Sequence, residues 1–401
     1  MDPDHRDLLA ENPDPRVREL VSHVLTPELL DRVRSRAPAY DERNEFCHED
    51  LAELIEVGYL RALVPKELGG LGWDLPDLVA GQRLLAAHAP ATALAVNMHH
   101  VWVSAARQMV ARGHSEFRQV LQEAAAEEIF AFGISEPGND AVLFDSGTEA
   151  RVAEDGSVSF TGIKIFTTLA PVWTRLGLFG RDVDGGETPL IFGFLEREAD
   201  GWRSLDDWDT LGMRATQSHT TVLEGARVPA GRIVRRLPAA PNRDPLVFAI
   251  FSSFLGLLAA VYTGIGDRAL ELAVAHVGSR TARTTGQPLS TDPDIRYRLA
   301  EARLHQLALD AQLRGVSQDI ENGADHGELW FPRLVTLRTS ATRTARDAVD
   351  TALQVSGGGQ YRRLSELSRL YRDVLAGVHH PSDDESAHRT LATSLLGALE
   401  G

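Results

Sequence analysis

Ile134-Ser135-Glu136-Pro137-Gly138, followed by Gly162-Ile163-Lys164-Ile165-Phe166-Thr167-Thr168, places a short, turn-rich β segment in the middle of the chain. From Ile129 to about Val234, short runs rich in Val, Ile, Thr and Phe are separated by turns such as Asp155-Gly156. This pattern predicts a small antiparallel, β-barrel-like domain over residues 128–238.

Helical periodicity dominates on both sides of that segment. Before it, the spacing predicts helices over 14–36, 48–57, 75–87 and 91–112. After it, the spacing predicts helices over 246–282, 294–322, 328–356, 363–377 and 384–398. The expected fold is α+β and mostly α, with an N-terminal helical domain (1–127), the central β domain (128–238) and a C-terminal four-helix bundle (239–401).

Composition narrows the class of protein. The 401 residues carry a formal net charge of −16, which argues against nucleic acid or an anionic membrane surface as a partner. Cys47 is the single cysteine, so an intramolecular disulfide is excluded and a metal site is not expected. The start, Met1 to His5, is polar, and no apolar run of membrane-spanning length is expected. These features predict a cytoplasmic protein.

Five local patterns in this order resemble the acyl-CoA dehydrogenase family of flavoproteins over nearly the whole chain. They are Val64 to Gly72 (VPKELGGLG), Ile134 to Gly138 (ISEPG), Gly162 to Thr168 (GIKIFTT), Leu211 to Thr216 (LGMRAT) with Val228-Pro229, and Gln354 to Tyr361 (QVSGGGQY) with Tyr371-Arg372-Asp373. The resemblance implies a bound FAD, or FMN in the monooxygenases that share the fold, and a homo-oligomer, either dimer or tetramer.

The resemblance also implies which residues bind the flavin. Those around the isoalloxazine ring would be Phe132, Ile134, Ser135, Phe166 and Thr168, with Phe166 where the family more often has tryptophan. Gln354, Gly357 and Gly358 match a turn that approaches the adenosine diphosphate of a neighbouring subunit's FAD, and Arg280 or Arg283 would contact the pyrophosphate. A simpler interpretation treats the glycines at 357–359 as a helix C-cap.

The catalytic base is where the chain departs from the family pattern. Dehydrogenation of an acyl thioester needs a desolvated carboxylate to remove the α-proton. The usual position falls on Pro381, and the position used by a minority of the family falls on Phe254. The loop from Gly377 to Glu385 (GVHHPSDDE) stands in place of the usual segment.

Two functional interpretations of that loop compete. In the first, Asp383 or Asp384 or a histidine serves as the base, and the protein dehydrogenates an acyl thioester on CoA or a carrier protein. In the second, His379 or His380, joined by His99 or His100, marks a monooxygenase or N-hydroxylase that receives reduced flavin and consumes oxygen. A simpler alternative is that Ser382 and Glu385 form a capping box for the last helix, and that His99 and His100 are core residues.

The function expected first is therefore FAD-dependent dehydrogenation, with catalytic candidates Asp383, His379 and His380. Its partners would be a small-molecule or acyl-thioester substrate and an electron acceptor. The monooxygenase alternative needs a flavin reductase instead. A third alternative is a non-catalytic subunit of a hetero-oligomer.

Overall fold

Helices form the first part of the computed structural model, which describes residues 22–139 and 141–397. They are α1 (Pro27–Arg43), α2 (His48–Glu56), α3 (Leu75–His88), α4 (Pro90–Ala111) and α5 (Arg118–Ala125). Thr26 caps α1 by accepting the Leu29 amide, and Asp74 begins α3 in a reciprocal capping box with Asp77. Of the helix predicted over 14–36, residues 14–21 lie outside the described residues, and the remainder is interrupted before Pro27.

One eight-stranded sheet forms the middle of the chain. Its strands are β1 (Phe130–Gly133), β2 (Glu149–Val152), β3 (Val158–Thr167), β4 (Arg175–Asp182), β5 (Leu190–Glu196), β6 (Trp202–Ser204), β7 (His219–Val228) and β8 (Ile233–Leu237). The order is β6-β7-β3-β2-β4-β5-β8, with β1 also paired to β4. The β1–β4 and β2–β4 pairs are parallel, so the prediction of a wholly antiparallel sheet is wrong there. Side-chain alternation does not encode the direction of the neighbouring strand.

The C-terminal helices are α6 (Pro245–Gly278), α7 (Pro293–Glu321), α8 (Trp330–Ser356), α9 (Glu366–Leu375) and α10 (Asp384–Leu396). Each lies within a few residues of its predicted range. Helix α6 packs against α3, α4, α7 and α8, and so joins the N-terminal helices to the bundle.

Helix α6 also corrects the expectation that no apolar run reaches membrane-spanning length. It contains an 18-residue window with a mean hydropathy of 2.1, but 94% of that window is buried inside the protein. The apolar run is the core of the fold, because the surrounding helices cover it on all sides.

Candidate functional site

Strand β1 carries the first residues predicted to contact a flavin. Trp102 of α4 donates its indole N–H to the carbonyl oxygen of Ala131 at 3.0 Å, which fixes the strand against that helix. Phe132 and Ile134 are buried, whereas Ser135, just beyond the strand, is only half-buried. The strand therefore forms an apolar wall that ends in a partly accessible serine.

The turn after Ser135 is anchored by a buried ion pair. Glu136 Oε1 lies 2.5 Å from Lys164 Nζ, and the two side chains are 4% and 0% exposed. The carboxylate also accepts hydrogen bonds from Ser146, Gly147 and Thr148. Burial alone would raise the pKa of Glu136, but the Lys164 ammonium and these donors lower it to about 2. Both residues lie in motifs evident from the sequence, and Lys164 is one of only two lysines, but their pairing was not predicted.

Phe166 is held in an unusual backbone conformation at the end of β3. Its φ is +58°, in the left-handed region that is costly for a bulky side chain. The β3–β7 register shifts between Lys164 and Thr167, and the Phe166 ring is 53% exposed, with an edge contact to Trp208 at 6.2 Å. The bulge therefore presents a flat aromatic face outward, as a planar cofactor would require.

Thr168 begins a chain of hydrogen bonds that leads from the sheet to the bundle. Its hydroxyl lies 2.7 Å from Ser218 Oγ, which lies 2.8 Å from Thr216 Oγ1. Thr216 donates to the carbonyl oxygen of Met213, whose own N–H donates to Asp373 Oδ1 at 2.6 Å. The threonine predicted to contact the flavin is thus connected to the Arg372-Asp373 motif.

Asp373 is a buried carboxyl group whose pKa is raised to about 6, chiefly by burial. Between its unfolded value near 3.8 and about 6, the folded protein binds more protons than the unfolded chain. The contribution of Asp373 to the free energy of unfolding is therefore most favourable below pH 3.8, where the carboxyl group is protonated in both states. It is lost as the pH rises through about 6, because the buried group must then ionise.

Asp373→Asn, which keeps an oxygen acceptor for Met213, should consequently gain stability relative to the parent as the pH rises from 4 to 6. The expected difference is on the order of 1 to 3 kcal/mol, measured by urea unfolding at several pH values. The exposed Asp347→Asn serves as the control. A variant that instead loses stability over this range would show that attraction to Arg369 and Arg372 outweighs the cost of burial.

Phe254, at the minority position for the base, lies against the sheet. Its ring stacks on Phe132 with centroids 5.3 Å apart and an interplanar angle of 17°. Phe251, one turn earlier on α6, contacts Phe144 and Phe331 at 6.0 and 5.1 Å. The structure therefore brings a predicted flavin residue and a predicted base position together, and the shared surface is aromatic.

The loop between α9 and α10 places its candidates in three different environments. His379 is exposed. His380 is half-buried, and its Nε2 atom is shielded from solvent with no hydrogen-bond partner among the described residues. Asp383 is exposed and caps α10, accepting from the N–H of Ser386 at 2.9 Å. The predicted Ser382–Glu385 capping box is wrong, because the cap lies one residue later.

His99 and His100 are fully buried in α4, which agrees with the core interpretation. His99 Nε2 lies 2.9 Å from the Leu60 carbonyl oxygen, and its Nδ1 accepts the Phe130 N–H at 3.2 Å. His99 therefore ties α4 to β1. The ring of His100 packs edge-on against Tyr59.

Of the residues predicted to bind the adenosine diphosphate, the structure brings only Arg280 and Gly357 into contact. Arg280 donates to the Ser356 carbonyl oxygen at 2.8 Å, and a Cβ at Gly357 would lie 3.1 Å from the same guanidinium. Gly357 has φ +79° and ends α8, so it is also the C-cap of the simpler interpretation. Gly358 is exposed and Gln354 is bonded to Arg298 and Asp350, while Arg283 is exposed in the following loop.

Comparison with protein families identifies this architecture. Residues 16–131 match the acyl-CoA dehydrogenase N-terminal domain, and residues 256–384 match the acyl-CoA dehydrogenase C-terminal domain. Together the matches span more than half of the chain. The chain belongs to the acyl-CoA dehydrogenase family. It is therefore a flavoprotein with the acyl-CoA dehydrogenase fold and an oxidoreductase.

Individual members of the family differ in chemistry. The chain is 26% identical over 378 residues to the putative acyl-CoA dehydrogenase YdbM of Bacillus subtilis, covering 91% of this chain and 93% of the relative. It is 28% identical over 356 residues to L-evernosamine nitrososynthase of a Micromonospora species, covering 87% and 83%. The solved structure of KijD3 in complex with dTDP matches with a TM-score of 0.85 and 26% identity, over 98% and 100% of the two chains.

The residues present fit a flavin. The outward Phe166 ring and the apolar wall of Phe132 and Ile134 suit an aromatic ring system. Ser135 and Thr168 supply hydroxyl groups beside them, and Arg280 lies against a glycine turn that a diphosphate can approach. When bound, the flavin supplies the electron transfer that these side chains cannot perform.

Proposed function

We propose that this protein is a flavin-dependent monooxygenase that receives reduced flavin from a separate reductase and hydroxylates a small molecule. One oxygen atom of O₂ enters the substrate and the other leaves as water, with both electrons supplied by the reduced flavin. The observation that carries this proposal is the replacement of both carboxylate positions by Pro381 and Phe254. The loop that contains Pro381 also holds His380, whose Nε2 has no hydrogen-bond partner in the part of the chain that the structure describes.

The environment of His380 suits a neutral hydrogen-bonding group. Burial, followed by the positive charge of Arg338, lowers the pKa of His380 to about 3. The imidazole is therefore uncharged at neutral pH, and one ring nitrogen donates while the other accepts. Such a group can hold a reacting oxygen atom in place without titrating.

Dehydrogenation, the function expected first, is supported less well by the same loop. It requires a desolvated carboxylate, but Asp383 is exposed, and its hydrogen bonds from Ser386 lower its pKa. Asp384 pairs with Arg343 at 3.0 Å. Neither carboxylate has the apolar surroundings that raise the basicity of an acyl-CoA dehydrogenase base.

The nitrososynthase among the relatives supports the same choice. L-evernosamine nitrososynthase, by its name, forms a nitroso group, so an amine nitrogen is the first candidate for the oxidised atom. The aromatic surface of Phe132, Phe251 and Phe254 suits an apolar portion of the substrate. We include FMN with FAD as candidate cofactors.

The proposal also includes a homo-oligomer and a cytoplasmic location. Beside the Gly357 turn, Tyr361 and Leu364 are 91% and 67% exposed, and Tyr297 on α7 is 71% exposed. A contiguous exposed apolar patch, unlike a single exposed residue, marks an interaction surface, and Tyr361 and Leu364 are close in sequence. A second copy of the chain is the partner that the family resemblance favours.

Two assays on the purified protein test the reaction. In the first, the flavin-loaded protein is titrated anaerobically with a panel of acyl-CoAs, and the absorption of the oxidised flavin is expected to persist. In the second, a flavin reductase and NADH are supplied under air with a panel of primary amines, and we expect hydroxylated product together with oxygen consumption. Bleaching by an acyl-CoA would establish a dehydrogenase, and inactivity in both assays would favour a non-catalytic subunit.

His380→Ala should lower the product formed per oxygen consumed by about tenfold, which corresponds to the loss of one hydrogen bond of about 1.4 kcal/mol. The oxygen that is not transferred should appear as hydrogen peroxide. The exposed neighbour His379→Ala is the matched control and should behave as the parent. If the two variants formed equal amounts of product per oxygen consumed, His380 would have no role in the mechanism.

A further inference from the structure

Arg338, in the middle of α8, is a buried cation with unusual partners. Its side chain is 1% exposed, yet its nearest described carboxylate, Asp384 Oδ1, is 4.0 Å from Nη1. Its direct hydrogen bonds run instead from Nη2 to the carbonyl oxygens of Gly377 and His380, the latter at 2.6 Å. Nη1 has no hydrogen-bond partner among the described residues. Burying a guanidinium whose direct hydrogen bonds go to carbonyl oxygens is costly, because no carboxylate in direct contact compensates the lost hydration.

The two carbonyl acceptors enclose the loop that carries His380. Gly377 and His380 lie on either side of the turn that follows α9, and one guanidinium nitrogen holds both ends. Gly377 also fits tightly against neighbouring helices, since a Cβ there would lie 2.6 Å from Thr342 Cγ2 and 2.9 Å from Tyr262 Cε1. The loop is therefore clamped between α6 and α8.

The clamp determines where the His380 imidazole lies. Its ring centroid is 5.8 Å from that of Tyr262, and both His380 Nε2 and the Tyr262 hydroxyl are shielded atoms without hydrogen-bond partners among the described residues. Because Nε2 has no hydrogen-bond partner among the described residues, a hydrogen bond from this atom does not explain the position of the His380 ring. The main chain of His380, by contrast, is bound directly by Arg338.

We propose that Arg338 is a positioning residue, which fixes the main chain of the Gly377–His380 turn so that the His380 imidazole is held in its shielded orientation for the reaction. This inference rests on the proposed monooxygenase function for its consequence in turnover, but its structural part is independent of that function. A lysine is a poor replacement, because the two N–H groups of Nη2 have fixed directions in the planar guanidinium, whereas an ammonium rotates on a flexible stem.

The first test measures the shielding of His380 by chemical modification. Diethylpyrocarbonate carbethoxylates accessible imidazole nitrogens, and the adjacent exposed His379 provides a reference within the same peptide in mass spectrometry. In Arg338→Lys, we expect the His380 modification rate relative to His379 to rise about tenfold. His99 and His100 in α4 should stay unmodified, which distinguishes a local opening from global unfolding.

Arg343→Met is the matched control. It removes an exposed arginine from the same helix, and the side chain it loses pairs with Asp384 rather than with the loop carbonyls. Its His380 should be as protected as in the parent. If Arg338→Lys is too unstable to purify, Arg338→Gln, which retains a planar donor without the charge, is labelled instead. Unchanged protection of His380 in the folded variant would overturn the inference.

The second test concerns turnover and includes a double variant. Arg338→Lys should lower product per oxygen consumed by about as much as His380→Ala, and the variant carrying both changes should lose no more than either alone, because both act through one group. Additive losses in the double variant would overturn the positioning role. So would a product yield per oxygen in Arg338→Lys that equals the parental yield. If His380 becomes accessible but the parent itself never hydroxylates, the proposed function fails while the structural assignment of Arg338 stands.

Discussion

Glu136→Gln is expected to lower the free energy of unfolding by about 3 to 5 kcal/mol, because it leaves the Lys164 ammonium buried without a countercharge. Lys164 would keep the Phe179 carbonyl oxygen at 2.7 Å and the Phe179 ring, whose centroid lies 4.5 Å from Nζ, and the glutamine would offer it a neutral oxygen in place of the carboxylate. Ser146 and Thr148 would lose their charged acceptor at the same time. Urea unfolding, followed by far-ultraviolet circular dichroism, measures the effect.

Two further variants separate charge from packing. Glu149→Gln removes one partner of an exposed pair in the same domain, in which Glu149 and Arg151 are 55% and 64% exposed, so a loss of only about 0 to 1 kcal/mol is expected. Glu136→Gln combined with Lys164→Met should recover part of the loss, since an apolar side chain of similar length needs no countercharge. A single Glu136→Gln variant within about 1 kcal/mol of the parent would show that the neutral donors hold the turn unaided.

Gly212→Ala is expected to destabilise the protein by about 1 to 3 kcal/mol and to weaken flavin binding. A Cβ at Gly212 would lie 2.2 Å from the Arg372 carbonyl oxygen and 2.6 Å from the Asp373 N–H nitrogen, and both neighbours are main-chain atoms that cannot rotate away. The β domain must therefore move from the bundle at the point where Met213 donates to Asp373. That movement breaks the hydrogen-bonded chain leading to Thr168.

Gly231→Ala is the matched control in the same domain, because a Cβ there meets nothing within 4 Å. Thermal unfolding measures the stability of both variants, and flavin fluorescence titration measures the dissociation constant. We expect the constant to rise severalfold in Gly212→Ala and to stay at the parental value in Gly231→Ala. Parental stability and binding in Gly212→Ala would mean that the two main-chain segments separate without cost.

Much of the fold was predictable because the capping residues and apolar periodicity of a helix are visible in its own local sequence. The start of α3 follows from Asp74 and its capping partner, and α6 to α10 lie close to their predicted ranges because apolar periodicity extends through each of them. The missing carboxylates at Pro381 and Phe254 were also evident from the sequence. The direction of β1 and β2 beside β4 was not, since no local pattern records which strand becomes a neighbour.

The features of the candidate site likewise divide into those predictable from the sequence and those that depend on tertiary structure. The sequence by itself determined the order of helices and sheet and the family, and it supplied the prediction of which residues bind a flavin. Only the tertiary structure decided that Glu136 pairs with Lys164, that Asp383 caps α10 while His380 Nε2 is shielded, and that Arg338 binds the loop carbonyls about 40 residues further along the chain. These relations depend on which polar groups are removed from water together, and desolvation is a property of the packed molecule rather than of any segment within it.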